Sequence, residues 1–196
     1  LSRFPIHSCT SHQVDYRHLS VSPPDMRPLL EVTVDCGFSS PVTIFAGHWK
    51  SKADSGSLSD FWRLTQERVL SSRILQQTNN LYIFCGDCNK DITEFTFDNE
   101  QVLLGKTELS VFPKNGSYAK AVSPWLLSDN QALQGSYYYQ KRWEKIDHFF
   151  IGSDFTIESF SVENTGERIP VRYTVWNGEG YSDHLPLTCI LSEKKN

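Results

Sequence analysis

Leu81-Tyr82-Ile83-Phe84-Cys85-Gly86-Asp87-Cys88-Asn89 is the stretch that decides the fold. Its first five residues are continuously apolar, the mark of a strand covered on both faces. Gly86 to Asn89 then turn polar, so the strand ends beside groups able to do chemistry. Immediately before it, residues 59–77 predict a helix. Phe61, Leu64, Val69, Ile74 and Leu75 recur broadly at helical spacing, with Trp62 and Leu70 beside them, and Ser59 or Asp60 can cap the start. Asn79-Asn80 ends it. A helix feeding a buried strand argues a layered α/β architecture.

Outward from that core the reading continues in both directions. Residues 29–35 are β-branched and partly alternating, 37–41 make a turn, and 41–49 form a second strand ending near His48, so the pair reads as a hairpin. Residues 1–28 read as irregular, with Pro23-Pro24 and Pro28 discouraging helix. Residues 90–140 are the least periodic and read as functional loops. Order returns at 143–151, which contains Asp147, and strand-like pieces follow at 155–162, 171–176 and 185–191, with 181–184 a loop. No repeat or linker divides the chain, so residues 1–196 read as one domain.

Composition sets the bounds. The chain has 196 residues and 22.5 kDa, enough for one core. Apolar residues at 39% and charged residues at 21% exclude a disordered tail and a coiled coil. Aromatics at 13% supply core and spare ring faces for a site. A net charge of −4 argues against a basic nucleic-acid coat but allows a local basic cleft. No run approaches the roughly 20 apolar residues of a membrane span. Five cysteines cannot all pair internally, and Cys85 and Cys88 lack a second pair at zinc-ribbon spacing. They read as apolar fillers at a strand end. There is no initiator Met and no signal-peptide pattern at the start.

Four short motifs place polar residues beside apolar strand ends. They are Gly47-His48-Trp49-Lys50-Ser51-Lys52, Gly86-Asp87-Cys88-Asn89, Lys145-Ile146-Asp147-His148-Phe149 and Ser182-Asp183-His184-Leu185-Pro186. Layered α/β folds put ligands outside strand ends, so these segments can converge. Together they offer the carboxylates of Asp87, Asp147 and Asp183, the amide of Asn89, and the imidazoles of His48 and His184. Carboxylates and amides are hard oxygen ligands suited to Mg²⁺ or Mn²⁺. A His beside an Asp is oriented and made more basic. Such a set fits metal-assisted attack of water on a phosphate ester. Each motif alone has a simpler reading: Asp87 as a turn residue, Ser-Asp-His as a plain loop, Asp147 as a paired structural carboxylate, His48 as a structural histidine. Lys50 and Lys52 fit a phosphate or a solvated loop equally well. Their joint occurrence, in this order, carries the argument.

As a set, the motifs resemble the endonuclease/exonuclease/phosphatase superfamily, which includes pancreatic-type deoxyribonucleases and neutral sphingomyelinases. The resemblance runs over almost the whole chain. It implies a four-layer α/β sandwich, two mixed sheets face to face flanked by helices. It implies that Asp183 helps hold a divalent metal, Mg²⁺ or Mn²⁺. His184, oriented by Asp147, would contact the scissile phosphate; Asp87 would position or deprotonate water; Asn89 would orient it; His48 would stabilise the transition state. Nucleic acid ranks first as substrate, a phospholipid head group such as that of sphingomyelin second. The tract 136–147 and His-Trp-Lys-Ser-Lys look like those of some bacterial members, which points toward a bacterial, exported, nuclease-like phosphodiesterase. A catalytically silent member used as a binding module is the alternative.

The chain also departs from the family pattern. Cys88 stands where members usually carry an aromatic or apolar residue. The family's first two strands, bearing an Asn and a metal-ligating Glu, precede a segment like Leu1-Ser2-Arg3-Phe4-Pro5-Ile6, and neither is present; Glu31 lies in a later strand. The expectation is a fragment or one piece of a nicked domain, N-terminally incomplete and partnered by its own missing segment, with a degenerate member as the third possibility. Such a fragment is expected to be unstable or oligomeric alone.

Overall fold

The structure, a computed structural model, describes residues 1–17, 20, 22–52, 56–108, 116–163 and 182–195. In chain order the strands are β1 (Ile6–His12), β2 (Leu29–Val34), β3 (Val42–His48) and, after helix α1 (Ser57–Leu75), β4 (Tyr82–Asp87). Then come β5 (Thr96–Asp98), β6 (Gln101–Lys106), β7 (Tyr118–Val122), β8 (Tyr137–Tyr139) and β9 (Arg142–Glu144). The last are β10 (Asp147–Ile151), β11 (Phe155–Val162) and β12 (Leu187–Glu193). Eight of them form one mixed sheet, in the order β1-β2-β3-β4-β10-β7-β6-β5; β8–β9 and β11–β12 are separate two-stranded pairs.

The apolar run that opened the sequence reading is the centre of this sheet. Alternate residues of β3, β4 and β10 face opposite sides, as a period of two requires. Phe45, Phe84 and Phe150 are completely buried on one side, the Phe84 and Phe150 rings stacked 5.5 Å apart. Leu70 and Ile74 of α1 pack into the same cluster. Ile44 and Ile83 face the other side, where Phe155, Ile157 and Leu191 of the β11–β12 pair cover them. The molecule is therefore α/β, with two sheets face to face and the helix outside the larger one.

The elements predicted at 29–35, 41–49 and 155–162 are present, and β2 and β3 form the expected antiparallel hairpin. The helix starts at Ser57, two residues early, and neither expected cap acts as one. The Ser59 hydroxyl donates back to the Gly56 carbonyl at 3.1 Å, and Asp60 pairs with Arg63.

Two readings need correction. Residues 1–28 are not all irregular: β1 lies there, ahead of the prolines that discourage helix. Its side chains are almost all exposed, so it carries no buried alternation, and backbone pairing with β2 alone defines it. The described residues of 90–140 are not all loops either. They supply β5, β6 and β7, which extend the sheet. These strands are short, and the β6–β7 pairing is broken by a register shift between Leu103 and Lys106, next to Gly105 at a φ of 73°. That interruption erased the period.

The strand expected at 143–151 is divided between β9 and β10, with Lys145 and Ile146 crossing between sheets. The strand at 185–191 begins instead at Leu187, because the Leu185 N–H is taken by the Ser136 carbonyl at 2.7 Å. The strand expected at 171–176 lies outside the described residues.

Candidate active site

Sheet register brings the first three site residues into line. In the parallel β3–β4 pair His48 stands opposite Asp87, and in the antiparallel β4–β10 pair Asp147 stands opposite Asp87. Three adjacent strands thus end at one level with His48, Asp87 and Asp147 abreast. The approach of β3 to β4 depends on glycine. A Cβ on Gly86, whose φ is 154°, would lie 1.8 Å from the Gly47 carbonyl oxygen. Past the strand end, the Trp49 N–H donates to the Asp87 carbonyl at 2.8 Å and keeps the two chains together.

Asn89 turns the chain away from β4. It adopts a φ of 47°, a conformation in which asparagine is enriched, and its N–H donates to Asp87 Oδ1 at 2.7 Å. Its Nδ2 donates to the Trp49 carbonyl at 3.2 Å, so the Asn89 amide ties the ends of β3 and β4 together. The His48 ring nitrogen Nε2 lies 3.5 Å from Asp87 Oδ2.

Asp147 is the most heavily bonded carboxylate of the group. Its Oδ2 accepts from Ser136 Oγ at 2.6 Å and from His184 Nδ1 at 2.7 Å, and its carbonyl accepts from Trp125 Nε1 at 2.9 Å. The His184 N–H donates to Ser182 Oγ at 3.0 Å. With Nδ1–H given to Asp147, His184 Nε2 is the ring nitrogen left for a substrate. His148, next to Asp147 in the chain, points to the other face. It is fully buried beside Phe95 and Phe150, donates Nε2–H to the Lys90 carbonyl at 2.8 Å, and burial pushes it down to about 4. It is a neutral core histidine.

One ligand atom each from Asp87, Asp147 and His184 can be chosen so that all lie within 4.8 Å of one another. The electrostatics follow from this crowding. Burial, then the facing Asp147, pushes Asp87 up to about 6, against the pull of the Asn89 N–H. Burial also works against ionised Asp147, but the His184 hydrogen bond and charge and the Ser136 hydroxyl outweigh it and hold Asp147 below the usual carboxylate range. Burial disfavours the His184 imidazolium too. The bond and charge of Asp147, with the charges of Asp87 and Asp183, win and raise it. His48 is lowered by burial, by Arg27 and by His184.

The structure therefore brings His48, Asp87, Asn89, Asp147 and His184 together. Asp183 is half-buried next to His184 and acts on it through charge, but lies outside the three-residue cluster. Lys52 turns to Glu94 at 2.7 Å, and the Lys50 backbone N–H is held by Gln66. The cysteines are all unpaired thiols, and Cys88 is fully buried, as fillers should be. Two participants escaped the sequence reading: Ser136 is completely buried under Asp147, and Arg27 shares a small pocket with His48. Tyr137 lays its ring 4.7 Å from that of His184. A cavity of about 420 Å³, lined by Asp147, His184, Ser182, Cys85, Phe149 and Leu187, opens beside the cluster.

No family model matches the sequence, and no curated protein matches it. Solved structures do. An endonuclease/exonuclease/phosphatase protein from Beutenbergia cavernae aligns over 98% of this chain and 46% of its own, at 15% identity and a TM-score of 0.60. A mannosyl-6-phosphatase from Bacteroides thetaiotaomicron aligns over 96% of this chain and 67% of its own, at 17% identity and a TM-score of 0.56. The human Nocturnin catalytic domain aligns over 98% of this chain and 61% of its own, at 17% identity and a TM-score of 0.56. This chain spans about half to two thirds of these structures. Its fold is that of the endonuclease/exonuclease/phosphatase proteins.

Proposed function

We propose that these residues form the catalytic part of a divalent-metal-dependent phosphodiesterase, nuclease-like, in which water attacks a phosphate ester. The observation that supports it best is the meeting of Asp87, Asp147 and His184 within 4.8 Å, beside His48, at the ends of three adjacent strands. The fold is shared with phosphate-ester hydrolases such as the mannosyl-6-phosphatase, which favours the same reaction class.

The donor set fits a hard cation such as Mg²⁺ or Mn²⁺. Two carboxylates face each other closely enough for Asp147 to raise Asp87, a repulsion that a cation relieves. Asp87 and Asp147 would hold it, with Asp183 adding negative charge nearby. When bound, the ion supplies charge neutralisation at the phosphoryl oxygens and a more acidic water.

The remaining steps belong to this chain's own groups. Asp87 orients the attacking water and takes its proton. Asn89 fixes the Asp87 carboxylate through its N–H and aligns the water. His184, held by Asp147, presents Nε2–H to a phosphoryl oxygen or to the leaving oxygen. His48 donates to the same charge from the β3 side. Nucleic acid is the preferred substrate.

The test uses the full-length protein and a chromogenic phosphodiester. Hydrolysis is expected with Mn²⁺, lost with EDTA and restored by adding Mn²⁺ or Mg²⁺. His184→Ala and Asp183→Ala should both lower it. Activity unchanged in both variants overturns the site, and no hydrolysis by the wild type of DNA, RNA or sphingomyelin favours a silent binding module.

A further inference from the structure

We infer that the β8–β9 hairpin is a stacking arm that receives the nucleobase next to the reacting phosphate. This rests on the phosphodiesterase reading and names the substrate contact it leaves open. Tyr137 and Tyr139 lie two residues apart on one strand and therefore share a face. Their rings stack 6.0 Å apart and only 14° from parallel, and the Tyr137 ring in turn lies 4.7 Å from that of His184. The three rings make a ladder that starts at the catalytic imidazole and ends on Tyr139, which is 50% exposed.

The arm is fixed in place. An isolated bridge pairs Tyr137 with His184, and the Ser136 carbonyl accepts from Leu185 N–H. A Cβ on Gly135 would lie 2.2 Å from the Glu144 carbonyl oxygen, so only glycine lets the hairpin base close. Tyr138, on the opposite face, packs against Trp143 at 5.1 Å. The consecutive left-handed residues Gln140 and Lys141, with φ of 47° and 66°, make the tight turn between the strands.

Charge at the tip suits a polyanion. Lys141 is exposed at the turn, and Arg142, exposed directly opposite Tyr139 in the hairpin register, also pairs through Nε with Glu144 at 3.2 Å. A base stacked on Tyr139 would place its own phosphate beside these cations while the neighbouring phosphate reached His184. Aromatic stacking accepts any base, because each has a π-face. The arrangement is unlike a hairpin built to enter a bilayer, which needs its apolar residues at the tip; here the tip is Gln140-Lys141.

The experiment compares two esters with the full-length protein and Mn²⁺. Thymidine 5′-phosphate 3′-(p-nitrophenyl phosphate) carries a base, its own phosphate and the neighbouring reactive diester, and methyl p-nitrophenyl phosphate carries the reactive diester alone. Tyr139→Ala should lower kcat/KM about tenfold more on the thymidine ester than on the methyl ester, through KM, and Tyr139→Trp should restore it. Equal losses on the two esters overturn the arm. Anisotropy of a short labelled oligothymidylate in Ca²⁺ reads the same contact without turnover. Tyr139→Ala should weaken binding about tenfold, and unchanged binding overturns the arm. If the protein is inactive but Tyr139→Ala still weakens this binding, the phosphodiesterase reading falls and the arm stands. Loss of binding to phosphatidylcholine–sphingomyelin vesicles in Tyr139→Ala, with the ester ratio and oligonucleotide binding intact, makes the hairpin a lipid contact and overturns the proposal.

Discussion

Asp147 concentrates the chemistry of the site in one side chain. A single oxygen accepts from both Ser136 and His184, so the carboxylate fixes the imidazole tautomer and carries the charge that raises it. Asp147→Asn should therefore disturb His184 as well as remove a charge. A fall of about a hundredfold or more in kcat on a chromogenic phosphodiester is expected for Asp147→Asn and for His184→Ala. Near-wild-type kcat in either variant would refute the assignment of His184 as the group facing phosphate. The sequence made His48, Asp87, Asn89, Asp147 and His184 visible, because each stands where an apolar run meets polar residues. Ser136 and Arg27 had no such marker. A serine acquires its meaning from the hydroxyl's distance to Asp147, and an arginine from the charge it sets near His48, and neither is written in local pattern.

The strands set that geometry, and two substitutions test how. β3, β4 and β10 are adjacent because Gly86 lets the β3 backbone pass and because Phe84 and Phe150 stack across β4 and β10. Gly86→Ala should force the His48 and Asp87 strand ends apart, with loss of activity and of about 3 kcal/mol of stability. Phe150→Ala removes a completely buried ring and should cost about 3–5 kcal/mol, read from urea unfolding. The first should damage kcat beyond its effect on stability; the second should act mainly through stability. A third test concerns the joint between sheet and helix. Glu31 on β2 accepts from Arg73 Nε of α1 at 2.8 Å and lies 2.8 Å from His12 Nε2 of β1. Burial opposes the ionised carboxylate, but these partners hold Glu31 below its ordinary range. A depressed carboxylate contributes stability above its unfolded-state pKa and loses it as pH falls through the folded value. Unfolding midpoints measured from pH 6 down to pH 3 should fall less steeply in Glu31→Gln than in the wild type; equal slopes would remove Glu31 from the account. The central elements were legible because burial on one or both faces imposes a period. β1 was not, having almost no buried residue, and β5 to β7 were not, being short and broken by a bulge.

At the scale of the molecule, the two sheets are unequal partners. Eight strands form one, and β11 and β12 alone represent the other among the described residues. The smaller pair covers Ile44 and Ile83 but leaves a cavity of about 420 Å³ against Cys85 and Phe149, beside the site. Large apolar side chains also reach solvent on both sheets: Ile6 is 56% exposed, Leu30 39% and Ile190 57%. Uncovered apolar area and open strand edges favour pairing with a further chain. The 196-residue chain by itself is therefore expected to self-associate at micromolar concentration. Light scattering coupled to size exclusion should show species larger than 22.5 kDa, growing with concentration and with added sulfate, which strengthens apolar burial. Ile190→Lys, on the outer side of β12, should reduce the association without moving the site, because Cys189 and Leu191, its neighbours, face the interior. A monomer at all concentrations, melting in one sharp cooperative transition, would show that the described surfaces are sufficient for an independent fold.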